Sequence, residues 1–438
     1  MSGALQPVEQ GTLAPATAGV GSLIEAVLKE PEALVYFLLN VGDGDTQLVL
    51  LPPDSNDGVR RLAIIDVATT KKLPDLIEKL HEVEVLSDAG TKRLIQKPGS
   101  PGQIRLLVAT HPHFDHIGGM SELLSKYNGL HSRRATPPAG GDARNRSTLS
   151  EADKVTPYAS DACIDQFWEP GYFFPSPSFH KLMAELEISP WIRRLQPTSG
   201  TTTYLDSVKV TVIGPGVGLR TRFDTYGVEV NDSSLTLMFE YPASRIYVET
   251  DINDEDRLNR RAVKKRSRRL LLGGDAQFTS WAQATVDFPD LRNEQNPVLA
   301  RELQAARGRD YLASDVFKMS HHASKHGINL ELLERVDAKY LLVSATGGGG
   351  RYDFPHALAM DAAREARQAS TTSGVARLTD HALGIHVTGA VLDDDKKTAL
   401  GSMAVIVPRQ PSRGIRIFRL MDDDKGFIDL QNAREVNP

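Results

Sequence analysis

Cysteine is almost absent: Cys163 is the only one in 438 residues. That excludes an internal disulfide framework and any cysteine-cluster metal site. A reducing cytoplasm is the expected setting. Long apolar runs are missing too. None approaches the ~20 residues that span a bilayer, so no membrane insertion is expected. The opening MSGALQPVEQGTLAPATAG lacks the basic and apolar regions of a secretory signal. Nor is there an excess of positive charge. Lys and Arg number 51 against 56 Asp and Glu, a net charge of −5, so a nucleic-acid partner would need a local basic patch. The glycine run Gly347–Gly350 is not followed by Lys-Ser/Thr, and no dinucleotide fingerprint occurs. No repeat of solenoid period is present.

What remains is a globular composition, 40% hydrophobic and 24% charged, which excludes a disordered or fibrous chain. At roughly 150 residues per domain, the length allows about three small domains or one large, decorated one. Residues 1–30 are rich in Gly, Ala and Pro and read as a flexible lead-in. Residues 31–438 read as one domain with insertions near 128–160, which is too long for a plain connection, near 242–269, which is charge-dense, and near 278–310, which reads as mostly helical. LVYFLLNVGDGDTQLVLL reads as two strands joined by a turn at Gly42–Asp45, and a strand follows over 61–67. The apolar spacing of 71–83 predicts a helix. IRLLVAT (104–110), VKVTVIGP, SSLTLMFEY, LLLGGDA (270–276), DVFKMS, KYLLVSA, SMAVIVP and GIRIFRL read as further strands. A helix is expected just after Gly118-Gly119. Hairpin strands first, then strands alternating with helices, predict an α/β (α+β) chain of two packed sheets with helices outside.

The strongest chemical signal is His111-Pro112-His113-Phe114-Asp115-His116, directly after an apolar strand. His111 and His113 can reach one metal from a strand-end loop, and Asp115 and His116 a second. Imidazole and carboxylate suit one or two divalent ions such as Zn²⁺ or Mn²⁺, which lower the pKa of bound water toward ~7. Asp275 ends LLLGGD, where a carboxylate can bridge two metals or simply occupy a turn. His321 and His322 end DVFKMS. Neighbouring residues at a strand end point to opposite sides, so one of them, His322, is expected as a ligand and His321 as an orienting or substrate contact. Asp66 ends LAIID and is expected to orient a ligand histidine. His326 and His356 are candidate proton donors to a leaving group, with His356 and Lys325 also candidate substrate contacts.

Substrate signals are weaker. Arg260, Arg261, Lys264, Lys265, Arg266, Arg268 and Arg269 can hold phosphates or form a solvated loop with Asp251, Asp254, Glu255 and Asp256. Arg133, Arg134, Arg144 and Arg146 can grip a backbone or lie in a disordered insertion. Trp168, Tyr172, Phe173 and Phe174 can stack on bases or fill a core.

Taken in order, Asp66, the HxHxDH run, Gly-Gly-Asp and the late histidine resemble the metallo-β-lactamase superfamily. Within it, the chain resembles the hydrolase domain of ComEC-type DNA-uptake competence proteins over roughly residues 34–390. The matching segments are LLNVGDGDTQLVL (38–50), LAIIDVA (62–68), THPHFDHIGGM (110–120), VNDSSLTLMFEY (230–241), LLLGGDAQ (270–277), FKMSHHASKHG (317–327), LLVSATGGGGRYDFPH (341–356) and LTDHALGIHV (378–387). The resemblance implies a four-layer αββα sandwich with metals at one edge. It implies His111 and His113 as ligands of one metal, Asp115 and His116 of the other, Asp275 as the bridge and a late ligand from His321–His322. Where many members carry a third histidine, this chain has Asn231 and Asp232, and Asn231 is placed among the orienting residues. The membrane channel of the competence proteins has no counterpart here, so a role in DNA uptake does not transfer.

The expected activity is that of a phosphodiesterase or nuclease acting on nucleic acid or a nucleotide through metal-bound hydroxide. Asp115, His322 and His326 are the catalytic candidates, and a histidine protonates the leaving oxygen. A carbonyl hydrolase acting on a lactone, thioester or β-lactam, and a non-catalytic metal-stabilised binding module, are the alternatives. A protein partner is open.

Overall fold

The computed structural model describes residues 20–87, 90–127, 162–172, 174–189, 191–221, 229–243, 246–250, 258–262, 267–290, 310–346, 352–367, 378–389, 391–392, 399–423 and 425–436. Its architecture follows from strands that are apolar on both faces. In Leu34–Leu38 every residue is buried. Side chains alternate along a strand, so Leu34, Tyr36 and Leu38 enter one apolar cluster and Val35 and Phe37 another. A strand covered on both faces needs a layer on each side. On one side lies a second sheet, contributing Val208, Leu237, Phe239 and Leu270. On the other lies the helix Lys72–Glu82, whose Leu73, Leu76, Ile77 and Leu80 recur at helical spacing along one buried face. The second sheet repeats the logic. Leu271, Phe317 and Leu341 face outward onto Trp281, Leu332 and Met360. Three apolar interfaces therefore separate four layers, helix, sheet, sheet and helix.

The first sheet orders its strands Val20–Gly21, Ile428–Glu435, Arg416–Asp422, Ala399–Val407, Leu34–Leu38, Thr46–Leu50, Leu62–Val67, Ile104–Val108, Gln166–Trp168 and Arg193–Leu195, with Val391–Leu392 paired to Ala399–Val407. The second runs Thr202–Leu205, Val208–Gly214, Thr236–Tyr241, Arg268–Leu272, Val316–Lys318, Tyr340–Val343 and Ile385–Val387. Leu62–Val67 and Ile104–Val108 pair in parallel, as do the last four strands of the second sheet in succession. Parallel strands deliver the residues that follow them to a common edge, the usual location of a binding crevice in α/β sheets.

The structure corrects several expectations. Order begins before residue 31. Leu23–Lys29 is a helix, capped by Ser22 accepting from the Glu25 amide, with Leu23 and Val27 buried. The glycine- and proline-rich composition upstream masked an S-x-x-E capping pattern. The helix expected after Gly118-Gly119 is there, Met120–Tyr127, and what the sequence did not announce is a single helical turn, Phe114–Ile117, ahead of the glycines. The charge-dense stretch 242–269 holds a separate hairpin, Ile246–Thr250 with Leu258–Ala262. The 278–310 insertion, expected to be mostly helical, does open with a helix, Phe278–Asp287. Its remainder past residue 290 and the insertion near 128–160 lie outside the described residues. Among the described residues, no helix is long and apolar enough to cross a membrane.

Candidate metal centre

The segments that follow the parallel strands meet at one edge of the sandwich. Asp66 ends Leu62–Val67 with φ of 56°. Thr110 and His111 follow Ile104–Val108, and Asp275 follows Arg268–Leu272 through Gly274, whose φ of +51° suits glycine. His321 and His322 follow Val316–Lys318. The loop carrying Asp45 closes from the other side. Its Gly44 is required by close approach, because a β-carbon there would lie 2.7 Å from the Asp115 carbonyl oxygen.

Asp275 occupies the centre and is almost wholly buried. Its Oδ1 lies 3.2 Å from His116 Nε2 and 3.8 Å from His322 Nε2. Its Oδ2 lies 3.6 Å from His111 Nε2 and 3.9 Å from His321 Nε2. His111 Nε2 is 3.1 Å from His113 Nδ1. Asp115 Oδ2, on a side chain 40% exposed, lies 3.8 Å from His322 Nε2 and 4.0 Å from His116 Nε2. His111, His116 and Asp275 form one compact group of ligand atoms, and Asp115, His116 and His322 another.

The outward-facing nitrogens fix which atoms look inward. His116 Nδ1 donates to Asp66 Oδ2 at 2.8 Å. His322 Nδ1 donates to the Ser344 carbonyl at 2.8 Å. The Thr110 hydroxyl donates to Asp66 Oδ2 at 2.7 Å, so it accepts from His111 Nδ1 at 3.2 Å. Each of the three rings therefore turns Nε2 to the centre. His116 Nε2, His322 Nε2 and Asp275 Oδ1 are buried and make no hydrogen bond. Polar atoms so buried are costly unless satisfied, and their spacing is that of donors around a shared cation. The residues fit one or two divalent ions. A third acidic group, Asp45, Asp66 and His116, does not. Asp45 is neutralised by Lys318 Nζ, and both Asp66 oxygens accept hydrogen bonds.

Charge in the cluster is strongly coupled. Burial disfavours the imidazolium of His116, but Asp275 and Asp66 outweigh it and hold its pKa well above the ordinary value. Burial pushes Asp275 up, yet His116, His322 and His111 pull it well below the usual carboxylate range. Burial and then the neighbouring charge of His116 keep His111 well below its ordinary value. Burial likewise lowers His113 and His321, and it raises Asp66 against the pull of His116.

His321 and His322 do not alternate as strand residues. His321, His322 and Ala323 all have left-handed φ, 48°, 52° and 59°, so both rings face the cluster. His321 Nε2 contacts Asn231 Nδ2 at 3.3 Å, and its Nδ1 contacts Gln277 Nε2 at 3.3 Å. Lys325 and His326 are exposed on the following turn. His356 accepts at Nδ1 from the Leu358 amide and so caps the helix Ala357–Glu365. Among the described residues, none of these three side chains has a contact with the ligand cluster.

Other substrate candidates are redistributed. Trp168 is buried between the sheets, and the Tyr172 hydroxyl donates to the Val230 carbonyl. Phe173 lies outside the described residues, whereas Phe174 packs on His113. Arg268 pairs with Asp315, and Arg269 pairs with Glu240 and donates to the Asp310 carbonyl, so both are structural. Lys264, Lys265, Arg266 and the arginines at 133, 134, 144 and 146 lie outside the described residues, as do the side chains of Arg260 and Arg261. Sequence reasoning missed Asp45, Lys318 and Thr110. The signal for Lys318 was a lysine inside an apolar strand, which demands a buried partner.

A sequence profile of the Metallo-beta-lactamase superfamily matches residues 58–136. Proteins of that superfamily are generally hydrolases that use divalent metals. No curated protein matches the chain in sequence. Among solved structures, it is similar to a long-form RNase Z from yeast at 11% identity and TM-score 0.30, covering 72% of this chain and 38% of that one. A diphosphatase from the PhnP family matches at 11% identity and TM-score 0.33, covering 86% and 99%. CmlA, a diiron β-hydroxylase from Streptomyces venezuelae, matches at 10% identity and TM-score 0.30, covering 79% and 54%. The chain thus spans little more than a third of the RNase Z and about half of CmlA. Its four-layer arrangement is the metallo-β-lactamase fold.

Proposed function

We propose that this chain is a metal-dependent phosphodiesterase acting on nucleic acid or a nucleotide. One observation carries the reading. The two oxygens of buried Asp275 face two different ligand sets, His111 with His113 on one side and His116 with His322 and Asp115 on the other. A carboxylate so placed, together with these histidines and Asp115, would hold one or two divalent ions, the kind of site that suits displacement at phosphorus. When bound, such ions supply Lewis acidity and a nucleophile at neutral pH by lowering the pKa of water to about 7. The segments in which the sequence resembles the competence-protein hydrolase domain are the sequence-level support for the same reading.

The chain's own residues do the rest. Asp66 orients His116 directly and His111 through the Thr110 hydroxyl. Asp115 presents a partly exposed carboxylate at the rim of the cluster, where it can hold a proton of the attacking water. His322 keeps its Nδ1 proton on the Ser344 carbonyl, so it serves as a ligand, and His326 on the exposed turn is assigned as proton donor to the leaving oxygen. Lys325 and His356 are assigned to contact the phosphate.

The test is hydrolysis of single-stranded and duplex DNA, RNA and bis-p-nitrophenyl phosphate by protein stripped of metal and reloaded with Mn²⁺ or Zn²⁺. Asp115→Ala is the control. Turnover that requires both metal and Asp115 supports the reading. Absence of turnover on every phosphodiester, with metal bound, rejects it, and turnover of a lactone or thioester instead assigns a carbonyl hydrolase.

A further inference from the structure

Aromatic side chains from opposite halves of the sandwich are among those flanking the ligand cluster. Phe174 packs edge-on against His113 with ring centroids 5.5 Å apart, and it is anchored on the outer apolar cluster of the first sheet. Phe354 lies 5.5 Å from both His321 and His322 and is anchored on the outer cluster of the second sheet. Tyr352 stacks on Phe354 at 5.8 Å with an interplanar angle of 26°, and 56% of it is exposed. Phe114, within the His-rich motif itself, is 69% exposed.

Resting on the phosphodiesterase reading, we propose that the Tyr352–Phe354 stack is a platform for a nucleobase beside the scissile phosphate, and that the substrate is single-stranded nucleic acid. A ring stacked on a second ring is held at a fixed tilt, so it offers a flat surface at little ordering cost. Every base has a face to stack on such a surface, whereas a base inside a duplex has both faces covered by its neighbours. The net charge is −5, and Arg268 and Arg269 beside the Asp275 strand are tied to Asp315 and Glu240. Stacking of a base would then add to what the metals and Lys325 contribute through the phosphate.

The experiment compares the metal-loaded wild type with Tyr352→Ala and Tyr352→Trp. The substrates are a single-stranded oligodeoxynucleotide, its duplex, and the same backbone made wholly abasic. Loss of one stacked base costs a few-fold to a hundred-fold, so the abasic strand is expected to raise KM about tenfold in the wild type. Tyr352→Ala should raise KM for the oligonucleotide by a similar factor and leave the abasic strand unchanged, and Tyr352→Trp should restore the difference. Anisotropy of the labelled strand on Asp115→Ala, read without turnover, should give the same ranking of Kd with and without the Tyr352 changes. Equal KM for normal and abasic strands, or preference for the duplex, overturns the platform while leaving a phosphodiesterase. Cleavage of bis-p-nitrophenyl phosphate or RNA but of none of the three strands overturns the platform for this substrate while leaving a phosphodiesterase; failure on those two as well overturns the phosphodiesterase reading, and the platform with it.

Discussion

Lys318 Nζ rests against the carboxylate of Asp45, and neither side chain reaches solvent. The lysine also reaches the Gly274 carbonyl at 3.4 Å, next to Asp275, and Asp45 Oδ1 lies 3.9 Å from His322 Nδ1. The pair thus forms the floor beneath the ligand cluster. Removing one member of a buried ion pair strands the other charge, at a cost of about 3–5 kcal/mol. Lys318→Met should lower the unfolding free energy by that order, and adding Asp45→Asn should recover a large part of it. Urea unfolding of the two variants checks this. A neutral Lys318→Met would show that the pair does not hold the floor.

Thr110 links Asp66 to His111 through one hydroxyl. Groups that orient a ligand histidine typically contribute 10–100-fold to metal affinity. Thr110→Val keeps the shape and removes the link, so metal affinity should fall by about tenfold or more, whereas Thr110→Ser should stay near the wild type. Competition against a chelator of known affinity measures both. Equal affinity in the valine variant would mean that His111 is oriented by packing alone.

Metal that binds the folded chain and not the unfolded one must stabilise it. At a free concentration of 100 Kd the gain is about 2.7 kcal/mol per site. Chelation should therefore lower Tm by several degrees, and Asp275→Ala should abolish most of the metal-dependent rise. Thermal unfolding with and without Mn²⁺ or Zn²⁺ gives the answer. A Tm indifferent to metal in the wild type would deny a folded-state site.

A second histidine pair, remote in sequence from the ligand motif, predicts a pH dependence. His381 Nδ1 and His386 Nδ1 lie 2.8 Å apart, one donating to the other. Burial, then the charge of Arg419, pushes the pKa of His381 down to about 4. Burial, then His381 and Arg419, holds His386 well below its ordinary value. Unfolded histidine titrates near 6.5, so between pH 6.5 and about 4 the unfolded chain binds protons that the folded chain refuses. The stability contribution is complete above about pH 6.5 and is lost as pH falls. For His381 alone the loss by pH 4 is on the order of 3 kcal/mol. His381→Gln should flatten the slope of unfolding free energy between pH 6.5 and 5, and an unchanged slope would clear the pair of that role.

That these residues would gather at one edge was legible because their types are contiguous or end apolar strands. His111 to His116, Asp275 and the His321–His322 pair each follow an apolar strand, and parallel strands bring such ends together. The layer order was legible for a similar reason, because runs such as LVYFL have no polar face to leave in water. Other features depend on neighbours distant in sequence. Asp45 and Lys318 are 273 positions apart, and nothing local marks them as partners. Trp168 and Tyr172 read as possible stacking residues, but a sheet interface and the Val230 carbonyl claim them. Tyr352 and Phe354 lie outside any helix or strand, where periodicity carries no information. The expectation that His321 and His322 diverge assumed extended backbone, and three consecutive left-handed residues reverse it.

The ligand set is divided between the halves of the molecule: His111, His113, Asp115 and His116 hang from the first sheet, Asp275 and His322 from the second. An ion held by both sets would act as a rivet across the seam. Without it, the two sheets are joined at this edge by the Lys318–Asp45 pair, hydrogen bonds and the interior apolar cluster, and the expectation is that each half opens more readily on its own. With it, opening either half requires releasing the ion. Amide exchange should then report two cooperative units in chelator and one in metal, with the Thr46–Leu50 and Val316–Lys318 strands changing most. The same edge that is assigned the chemistry would set how the domain comes apart.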